Sequence, residues 1–589
     1  MANGSTTRIE EKHSYQTLSE SQLWLPSVET AMSVLIIPRA VSALFSPIAD
    51  CDETFNYWEP LHYLLYGFGF QTWEYSPLYA LRSYVYLMVH YWIVRVTALA
   101  SLLGLLIDQK PLLFYGLRTA LGLLSAYAEA SFYSSTSKTF GRDTARYLLY
   151  MLVLNAGIYH ASTAFLPSTF TMVLFMLFSS AWMNRSHYLA LVYGIVAVLC
   201  GWPYVGVLFI VFAFETFYTR GWIQSIFVGG ILGAAILVLE LLVNFYYYQR
   251  WVLPAWNIIV YNVLSSDTDS TLYGTEPLSY YIWNLALNFN VVALVAVPAA
   301  LFVFLMPENY YATSKVLLLA YISPMYIWMA IMLTQAHKEE RFLTPVYPLF
   351  CLSAAITLSA FVHRIKCCFR HAPTVSNRLS LFIVVGTLGF YSMLSVSRVA
   401  SNMINFHAPL RVYHYLYAKV LPNPEDTKLL DGLNTARPEV TLCLLKEWHR
   451  FPTSFFIPSN RTKVQFVKSS FSGLLPKPFE EHENGTSIIP SAMNNRNQEE
   501  PSRYVAIETC DYVVDLNLPH QKETKLWKDP ATWELVHSEP FLDVAQSKSP
   551  YRSFYIPILT PRNVHYADYA IYKRKSSMQP QQDSGKVLS

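Results

Sequence analysis

The sequence has little charge and few cysteines for its length. Only 14% of its 589 residues are Asp, Glu, Lys or Arg, and 53% are apolar, whereas about a quarter of a soluble domain is charged. A net charge of +3 gives no general basic surface, which argues against nucleic acid as a partner. Cys51, Cys200 and Cys351 stand alone and Cys367 is adjacent to Cys368, so no zinc-ligand spacing occurs. We expect a membrane protein with a soluble part.

The N-terminus lacks the features of a cleaved signal peptide. Residues 1–23 are polar, with no basic segment before a short apolar core and no small-residue cleavage site. We therefore expect residues 1–30 to form a cytosolic tail. The first apolar helix then acts as signal and membrane anchor together.

Apolar runs fill the first two thirds of the chain. Runs long enough, or nearly long enough, to span a bilayer begin near residues 31, 83, 111, 145, 168, 187, 203, 222, 286, 314, 342 and 379. Basic loops mark the cytosolic side, above all residues 363–378. Membrane crossings counted forward from a cytosolic N-terminus and backward from that cytosolic loop give numbers that differ by one. We predict a polytopic α-helical membrane protein with about 11–13 spans, and the side of residues 134–144 stays open.

A soluble domain follows the apolar runs. After about residue 400 the charge rises, and the alternation typical of β-strands appears in EVTLCLL, KVQFV and RYVAIETCDYVVDL. We predict a multispanning catalytic domain at 31–400, a lumenal α+β domain at 401–575 and a disordered tail at 576–589. Residues 480–503 read as a flexible insert.

Counting crossings also assigns loops to the lumen. Loops 50–82, 246–285 and 335–341 fall on the same side as the C-terminal domain. The sequons at Asn460 and Asn484 can be glycosylated only there. Cys443 and Cys510 each lie in a strand-like stretch, where a disulfide and two free buried thiols are about equally compatible with the sequence.

The segment from Asp50 to Arg82, here called the carboxylate loop, combines acidic and aromatic side chains. Its carboxylates are Asp50, Asp52, Glu53, Glu59 and Glu74, and its aromatic residues include Trp58, Trp73 and Tyr75. Carboxylates are costly beside a bilayer, and aromatic faces pack against the C–H faces of sugar rings. The combination predicts a carbohydrate site. An interfacial aromatic belt with solvated charges is the structural alternative.

Two further stretches are rich in polar groups. Residues 256–291 contain side chains suited to a hydroxyl-rich ligand, namely Tyr261, Asn262, Tyr273, Glu276 and Asn288. Residues 337–341 read His-Lys-Glu-Glu-Arg. If they are helical, His337, Lys338 and Arg341 share a face that can hold a lipid phosphate. A charge cluster with internal ion pairs is the structural alternative.

Metal binding has only weak support. The Asp-X-Asp triplets Asp50–Asp52 and Asp267–Asp269 invite a divalent-metal interpretation. However, Arg and Lys alone can stabilise a monophosphate leaving group. We expect no metal and no other cofactor. Arg39 lies thirteen residues before Asp52, within reach of a phosphate or a loop carboxylate if the first helix continues. Snorkelling is the alternative for Arg39.

Several motifs together resemble a known family. These are DETFNYWEP, QTWEYSP with RSY, YNV followed by LYGTEP, LNFNV, and HKEERFLTPVYPL. Over roughly residues 30–575 the chain resembles the membrane-embedded, dolichyl-phosphate-mannose-dependent mannosyltransferases of the endoplasmic reticulum. The asparagine- and tyrosine-rich middle motif resembles the α-1,2 enzymes among them, which extend the lipid-linked oligosaccharide for N-glycosylation.

The resemblance implies a fold, a reaction and roles for residues. The fold would be GT-C-like. The reaction would be inverting transfer of mannose from dolichyl-phosphate mannose to a dolichyl-pyrophosphate-linked oligosaccharide, at two branches, within the endoplasmic reticulum membrane. Asp52 would be the base, with Glu53 the second choice. The donor phosphate would be held by Arg341, Lys338, His337 and Arg39. The acceptor would be bound by Trp58, Glu59, Trp73, Tyr75, Arg82, Tyr261, Asn262, Tyr273 and Glu276.

Alternative functions stay open at this point. A related α-1,6 or glycolipid-anchor mannosyltransferase would share the acidic pair Asp52–Glu53 and the His-Lys-Glu-X-Arg-Phe run that begins at His337. A transporter of lipid-linked sugars would carry ionisable residues deep within several helices and an inverted repeat. A lumenal adaptor that only binds glycans would make little use of the acidic loop.

Overall fold

The computed structural model describes residues 24–102, 110–264, 272–421, 439–521 and 525–575. The chain divides into two compact units. The helical unit comprises Met1–Ser46, Tyr79–Leu105 and Tyr115–Ala400, and the mixed unit comprises Pro47–Leu78, Leu106–Phe114 and Ser401–Ser589. Most of the carboxylate loop, predicted as part of the membrane domain, therefore belongs to the same unit as the C-terminal domain. The Asp267–Asp269 triplet lies outside the described residues.

The helical unit consists of helices of very different lengths. Their bounds are Val28–Phe45, Tyr84–Leu102, Lys110–Thr139, Arg142–Leu154, Ala156–Ala161, Pro167–Met183, His187–Val196, Ile210–Arg220, Trp222–Tyr248, Pro254–Ile259, Ser279–Asn288, Val291–Ala296, Ala299–Leu305, Lys315–Thr334, Tyr347–Cys368 and Pro373–Asn405. The first segment of the Lys110–Thr139 helix and the end of Pro373–Asn405 belong to the mixed unit.

Five segments of the described chain are long and apolar enough to cross a membrane. They are Val28–Phe45, Trp222–Tyr248, Lys315–Thr334, Glu340–Cys368 and Pro373–Val420. Shorter apolar helices occupy Tyr84–Leu99, Pro167–Met183 and His187–Gly201. The predicted polytopic, α-helical membrane architecture is confirmed.

Asparagine side chains interrupt two of the predicted apolar runs. Asn155 separates the helices Arg142–Leu154 and Ala156–Ala161 because its side chain accepts the Ile158 N–H at 2.7 Å and caps the second helix. Asn290 has a positive φ of 44° and accepts the Val291 N–H at 2.7 Å. The run that begins near residue 286 is consequently divided into short helices rather than one continuous span.

The mixed unit contains a five-stranded sheet. Its strands are β2 (Val440–Leu444), β3 (Thr462–Phe466), β5 (Tyr512–Leu516), β6 (Trp533–Leu542) and β7 (Tyr566–Arg574), in the order β3-β2-β5-β7-β6. The β3-β2-β5 pairs are parallel and the β5-β7-β6 pairs are antiparallel. Cys443, in β2, forms a disulfide with Cys510. The predicted α+β C-terminal domain is confirmed, and of the two cysteine alternatives the structure has the disulfide.

The carboxylate loop and the C-terminal domain pair within the mixed unit. Strand β1 (Phe70–Gln71) is antiparallel to β4 (Lys477–Pro478). The Tyr63 ring stacks on Phe479 with centroids 4.2 Å apart, and its hydroxyl donates to the carbonyl oxygens of Glu480 and His482. Residues 480–503 are thus anchored at their start, which the prediction of a flexible insert did not anticipate. A Cβ at Gly485 would lie 2.2 Å from the Tyr63 hydroxyl, so only glycine fits there.

Candidate active site

The two favoured catalytic carboxylates differ in exposure. A short helix, Cys51–Glu53, begins where Asp50 Oδ1 accepts the Asp52 N–H at 2.9 Å. Glu53 is buried, and its carboxylate accepts the Trp58 indole N–H at 3.0 Å. Asp52 is only partly buried. Since a general base must reach the acceptor hydroxyl, this difference favours Asp52 over Glu53.

Glu59 is a structural residue rather than a sugar ligand. Its side chain is fully buried. It accepts the Phe70 N–H, the Thr453 hydroxyl, and both the N–H and the hydroxyl of Ser454, at 2.6–3.1 Å. Burial raises the pKa of Glu59, and the hydrogen bonds oppose that shift. The prediction that Glu59 binds the acceptor is wrong because four donors of the mixed unit already surround its carboxylate.

Replacing Glu59 with glutamine is expected to destabilise the mixed unit by about 2–4 kcal/mol, because one of two acceptor oxygens becomes an NH₂ group facing buried donors. The unfolding midpoint of the detergent-purified protein should fall. Glu483→Gln makes the same change at an exposed carboxylate of the same unit and should leave the midpoint unchanged. Equal midpoints for the two variants would contradict the structural role.

Trp58, Trp73 and Tyr75, the three aromatic residues predicted to bind the acceptor, are core residues. Trp58 and Tyr75 are fully buried and Trp73 is 8% exposed. The Trp58 ring contacts Phe114, with centroids 4.5 Å apart, and the Tyr75 hydroxyl donates to the Asn56 carbonyl at 2.6 Å. Burial leaves these rings little surface on which a sugar could stack, which argues against the predicted role, and their place in the acceptor site stays a prediction.

Lys110 is a buried cation that the sequence analysis missed. Its ammonium donates to the Ile457 carbonyl at 3.1 Å and lies 4.4 Å from the ring centroids of both Tyr66 and Phe68. Burial lowers the pKa of Lys110 to about 7, and the charge of Glu59 opposes the shift. Lys110 therefore helps to join three separate chain segments of the mixed unit. The sequence feature that could have identified Lys110 is its position directly before an apolar run.

The His-Lys-Glu-Glu-Arg segment is not helical as predicted. Residues 337–339 have no helical structure, and a 3₁₀-helix begins only at Glu340 (Glu340–Val346). His337 Nε2 lies 2.8 Å from Glu339 Oε1, and Arg341 Nε lies 2.5 Å from Oε2 of the same carboxylate. His337 and Arg341 thus converge on one carboxylate, which raises the pKa of His337.

Lys338 has a different environment from its neighbours. It is 6% exposed, and its ammonium donates to the carbonyl oxygens of Glu276, at 3.0 Å, and Gln335. The predicted common face of three cations is therefore wrong, and we no longer place Lys338 among the phosphate-binding residues. Its contacts instead fix one chain segment to another.

Two polar stretches, within residues 256–291 and 335–341, contact each other in the helical unit. The Glu276 N–H donates to the Ala336 carbonyl at 3.1 Å, and His337 Nδ1 lies 2.9 Å from the Gly274 carbonyl oxygen. The Tyr273 side chain is 48% exposed, with its ring centroid 6.5 Å from that of His337. Tyr273 and Glu276 are consequently beside the His337–Arg341 pair.

The remaining acceptor candidates lie elsewhere in the helical unit. Tyr261 and Asn262 belong to a π-helical turn, Val260–Leu264, where the Asn262 side chain donates to the Ile258 carbonyl. Arg82 is partly buried, and its carbonyl accepts the Tyr248 hydroxyl at 2.7 Å. Their roles in acceptor binding stay predictions.

Arg39 has a buried protein partner. Its Nε and Nη2 donate to the two carboxylate oxygens of Glu129 at 2.8 and 2.6 Å, and Nη2 also donates to the Leu152 carbonyl. Both charged side chains are almost completely buried. We therefore remove Arg39 from the phosphate candidates. Arg118, on the same helix as Glu129, donates to the carbonyl oxygens of Ser42 and Ser46.

Glu340 connects residues that the sequence analysis did not group. Its carboxylate accepts the Asn288 side-chain N–H at 2.7 Å, and its charge acts on both His160 and Arg398. His160 also lies 2.6 Å from the Ser46 hydroxyl. Arg398 could have been singled out from the sequence, because it is an arginine within the apolar run that begins near residue 379. The sequence around His160 contains no comparable indication.

Comparison with known proteins shows the family of this chain. The sequence profile of the Alg9-like mannosyltransferase family matches residues 30–458. This chain belongs to that family. The α-1,2-mannosyltransferase ALG9 of Homo sapiens is 38% identical over 576 residues, covering 96% of this chain and 92% of that one. The enzyme of the same name from Arabidopsis thaliana is 38% identical, covering 91% and 90%.

Solved structures also align over most of the chain, ArnT from Cupriavidus metallidurans among them. ArnT from Cupriavidus metallidurans bound to undecaprenyl phosphate matches with a TM-score of 0.47 and 12% identity, covering 74% of this chain and 85% of that one. The resemblance inferred from the motifs and the predicted enzyme class, a mannosyltransferase, are confirmed by the family match and the curated relatives.

Proposed function

We propose that this protein transfers α-1,2-linked mannose from dolichyl-phosphate mannose to a dolichyl-pyrophosphate-linked oligosaccharide, at two branches. The observation that carries this proposal is the 38% identity with a named α-1,2-mannosyltransferase across 96% of the chain.

The proposed chemistry is a single displacement with inversion. A β-linked donor yields an α-linked product when the acceptor hydroxyl attacks the anomeric carbon from the opposite face. Asp52 takes the hydroxyl proton, and the phosphate leaves with the electrons of the broken C–O bond. The partial exposure of Asp52, compared with the buried and hydrogen-bonded Glu53, supports this assignment.

The proposed phosphate ligands are Arg341 and His337. Both contact Glu339, which orients them, and the pKa of His337 is raised by that carboxylate, so its imidazolium persists to higher pH than usual. Two cations beside one carboxylate retain net positive charge for a phosphate. Charge-assisted hydrogen bonds of this kind stabilise a leaving group most where water is excluded.

We propose that the enzyme lies in the endoplasmic reticulum membrane, with a cytosolic N-terminus and a lumenal C-terminal domain. Two observations support this orientation. Cys443 and Cys510 are disulfide-bonded, and disulfides persist in oxidising compartments. The side chains of Asn460 and Asn484 are exposed, as glycosylated asparagines must be.

The proposed reaction needs no metal. Ligand atoms of Asp50, Cys51 and Asp52 lie within 4.8 Å of one another, but a thiol is a poor partner for the divalent cations that carboxylates favour. The cationic groups of Arg341 and His337 supply the charge that a metal would otherwise provide.

The test is mannose transfer by the purified protein in detergent, with dolichyl-phosphate mannose, a lipid-linked oligosaccharide acceptor and EDTA. We expect a product from which an α-1,2-specific mannosidase removes the added sugar. Transfer in detergent, where no second compartment exists, also separates an enzyme from a transporter. A product with another linkage, or none with any acceptor, would refute the proposed activity. Loss of transfer only with EDTA would refute metal independence.

A further inference from the structure

The C-terminal sheet carries a cavity that the proposed catalytic residues do not use. Its volume is about 670 Å³, within the range of small-molecule sites. The lining residues come from residues 517–572 of the mixed unit and include residues of the paired strands β6 and β7. Neither the carboxylate loop nor residues 335–341 contribute to it.

The lining favours a neutral ligand rich in hydroxyl groups. Among the described residues it contains carboxylates, amides, imidazoles and aromatic rings, but neither lysine nor arginine. Phosphate and nucleotide sites depend on such cations. The described lining residues also do not form a cluster able to hold a metal ion. Sugars remain as ligands that use side chains of this kind.

Several polar groups of the cavity are already oriented. Asp543 is buried, lies 3.4 Å from His520 Nδ1, and accepts the Ala545 and Gln546 N–H groups at 3.1 and 3.3 Å. The Asn517 amide donates to the Tyr572 hydroxyl at 2.6 Å. These contacts fix the side chains before any ligand arrives, which reduces the entropy cost of binding.

One buried acceptor lacks a donor. Asn517 Oδ1 is buried and accepts no hydrogen bond from the part of the chain that the structure describes. A buried polar atom of this kind costs free energy unless something supplies a donor. This atom is closed to solvent, so a sugar hydroxyl reaches it only if the Asn517 side chain turns toward the cavity. The exposed carboxylate of Asp568 can accept a sugar hydroxyl directly.

An aromatic face is available at the same cavity. Tyr566 is 40% exposed, and its hydroxyl donates to Asn405 Oδ1 at 2.8 Å, which fixes the ring. Trp533 and Tyr572 line the cavity more deeply, as both are buried. An aromatic surface beside carboxylate and amide oxygens matches the apolar and polar faces of a hexose.

We propose that this cavity is an accessory glycan-binding site for mannose residues of the oligosaccharide acceptor, an inference that rests on the proposed function. Binding one branch here would retain an acceptor whose other branch is extended. The cavity thus supplies acceptor recognition that does not depend on the catalytic carboxylate or on the donor phosphate.

The experiment measures binding of a free, lipid-less oligomannose glycan to the full-length protein in detergent, without donor. We expect saturable binding that Asp568→Ala weakens at least tenfold, since one hydrogen bond to a charged group contributes about 1.5–3 kcal/mol. Glu534→Ala removes the same charge from an exposed side chain of β6 that does not line the cavity, and it should bind like the unaltered protein. Asn517→Ala should also weaken binding.

The outcomes separate this inference from the proposed function. Unchanged glycan binding by Asp568→Ala, with an unchanged unfolding midpoint, would overturn the accessory site. So would an equal loss in Asp568→Ala and Glu534→Ala. Mannose transfer by the unaltered protein is measured on the same preparation. Its absence would refute the proposed enzyme, whereas its presence without cavity-dependent binding would refute only the glycan site.

Discussion

Replacing Asp52 with asparagine is expected to lower the rate of mannose transfer by about 10²–10⁴-fold, the usual contribution of a general base. Asparagine keeps the shape of the side chain but cannot accept the hydroxyl proton. The backbone N–H of residue 52 can still donate its hydrogen bond to Asp50 Oδ1, so the local helix should persist. The variant should therefore retain its unfolding midpoint while it loses turnover.

The matched control for this variant is Asp50→Asn. It makes the same chemical change two residues earlier, and asparagine preserves an oxygen acceptor for the Asp52 N–H. We expect transfer by this control to stay within a few-fold of the unaltered protein. Near-normal turnover by Asp52→Asn would exclude Asp52 as the base. Glu53→Gln would then be the next variant to measure, with its stability checked because Glu53 is buried against Trp58.

The long elements could be predicted because their determinants are local. Apolar runs starting near residues 222, 314 and 379 became the helices Trp222–Tyr248, Lys315–Thr334 and Pro373–Asn405. Alternation in KVQFV and in RYVAIETCDYVVDL became β3 and β5. In each case the hydrophobic period and the length of one segment determine its secondary structure, and no distant partner is needed.

The roles of single charged residues could not be predicted because their partners are distant in sequence. Glu59 reaches Ser454, which lies 395 residues later, and Arg39 pairs with Glu129, 90 residues later. A buried structural carboxylate and a catalytic one have the same local sequence signal. Only the donors that surround Glu59 and the access to Asp52 distinguish them.

The aromatic residues of the carboxylate loop illustrate the same limit. Trp58 beside acidic residues suits a sugar platform as well as a core, and the sequence does not show which partner covers the ring. Phe114 and Phe455 come from two other segments of the mixed unit and pack against it. Sequence motifs therefore identified the family and the acidic pair, whereas packing decided which side chains stay available to a ligand.

Replacing Arg341 with alanine is expected to lower kcat/KM for the donor by about 10²–10³-fold, the range found when one donor to a developing oxyanion is removed. The KM for the oligosaccharide acceptor should change little, because the proposed partner of Arg341 is the donor phosphate. Arg341→Lys keeps the charge but loses the guanidinium geometry, so it should recover only part of the loss. Equal effects on donor and acceptor would contradict the assignment.

The pH dependence of the Arg341→Ala variant tests its partnership with His337. The positive charge of Arg341 lowers the pKa of His337, whereas Glu339 raises it. Without Arg341 the imidazolium should persist to higher pH, since only the carboxylate still acts on it. Residual donor use should then fall as the pH rises through this higher pKa, because the neutral imidazole no longer attracts the phosphate. The double variant Arg341→Ala with His337→Ala should lose that pH-dependent step, and a step that persists would assign it to another group.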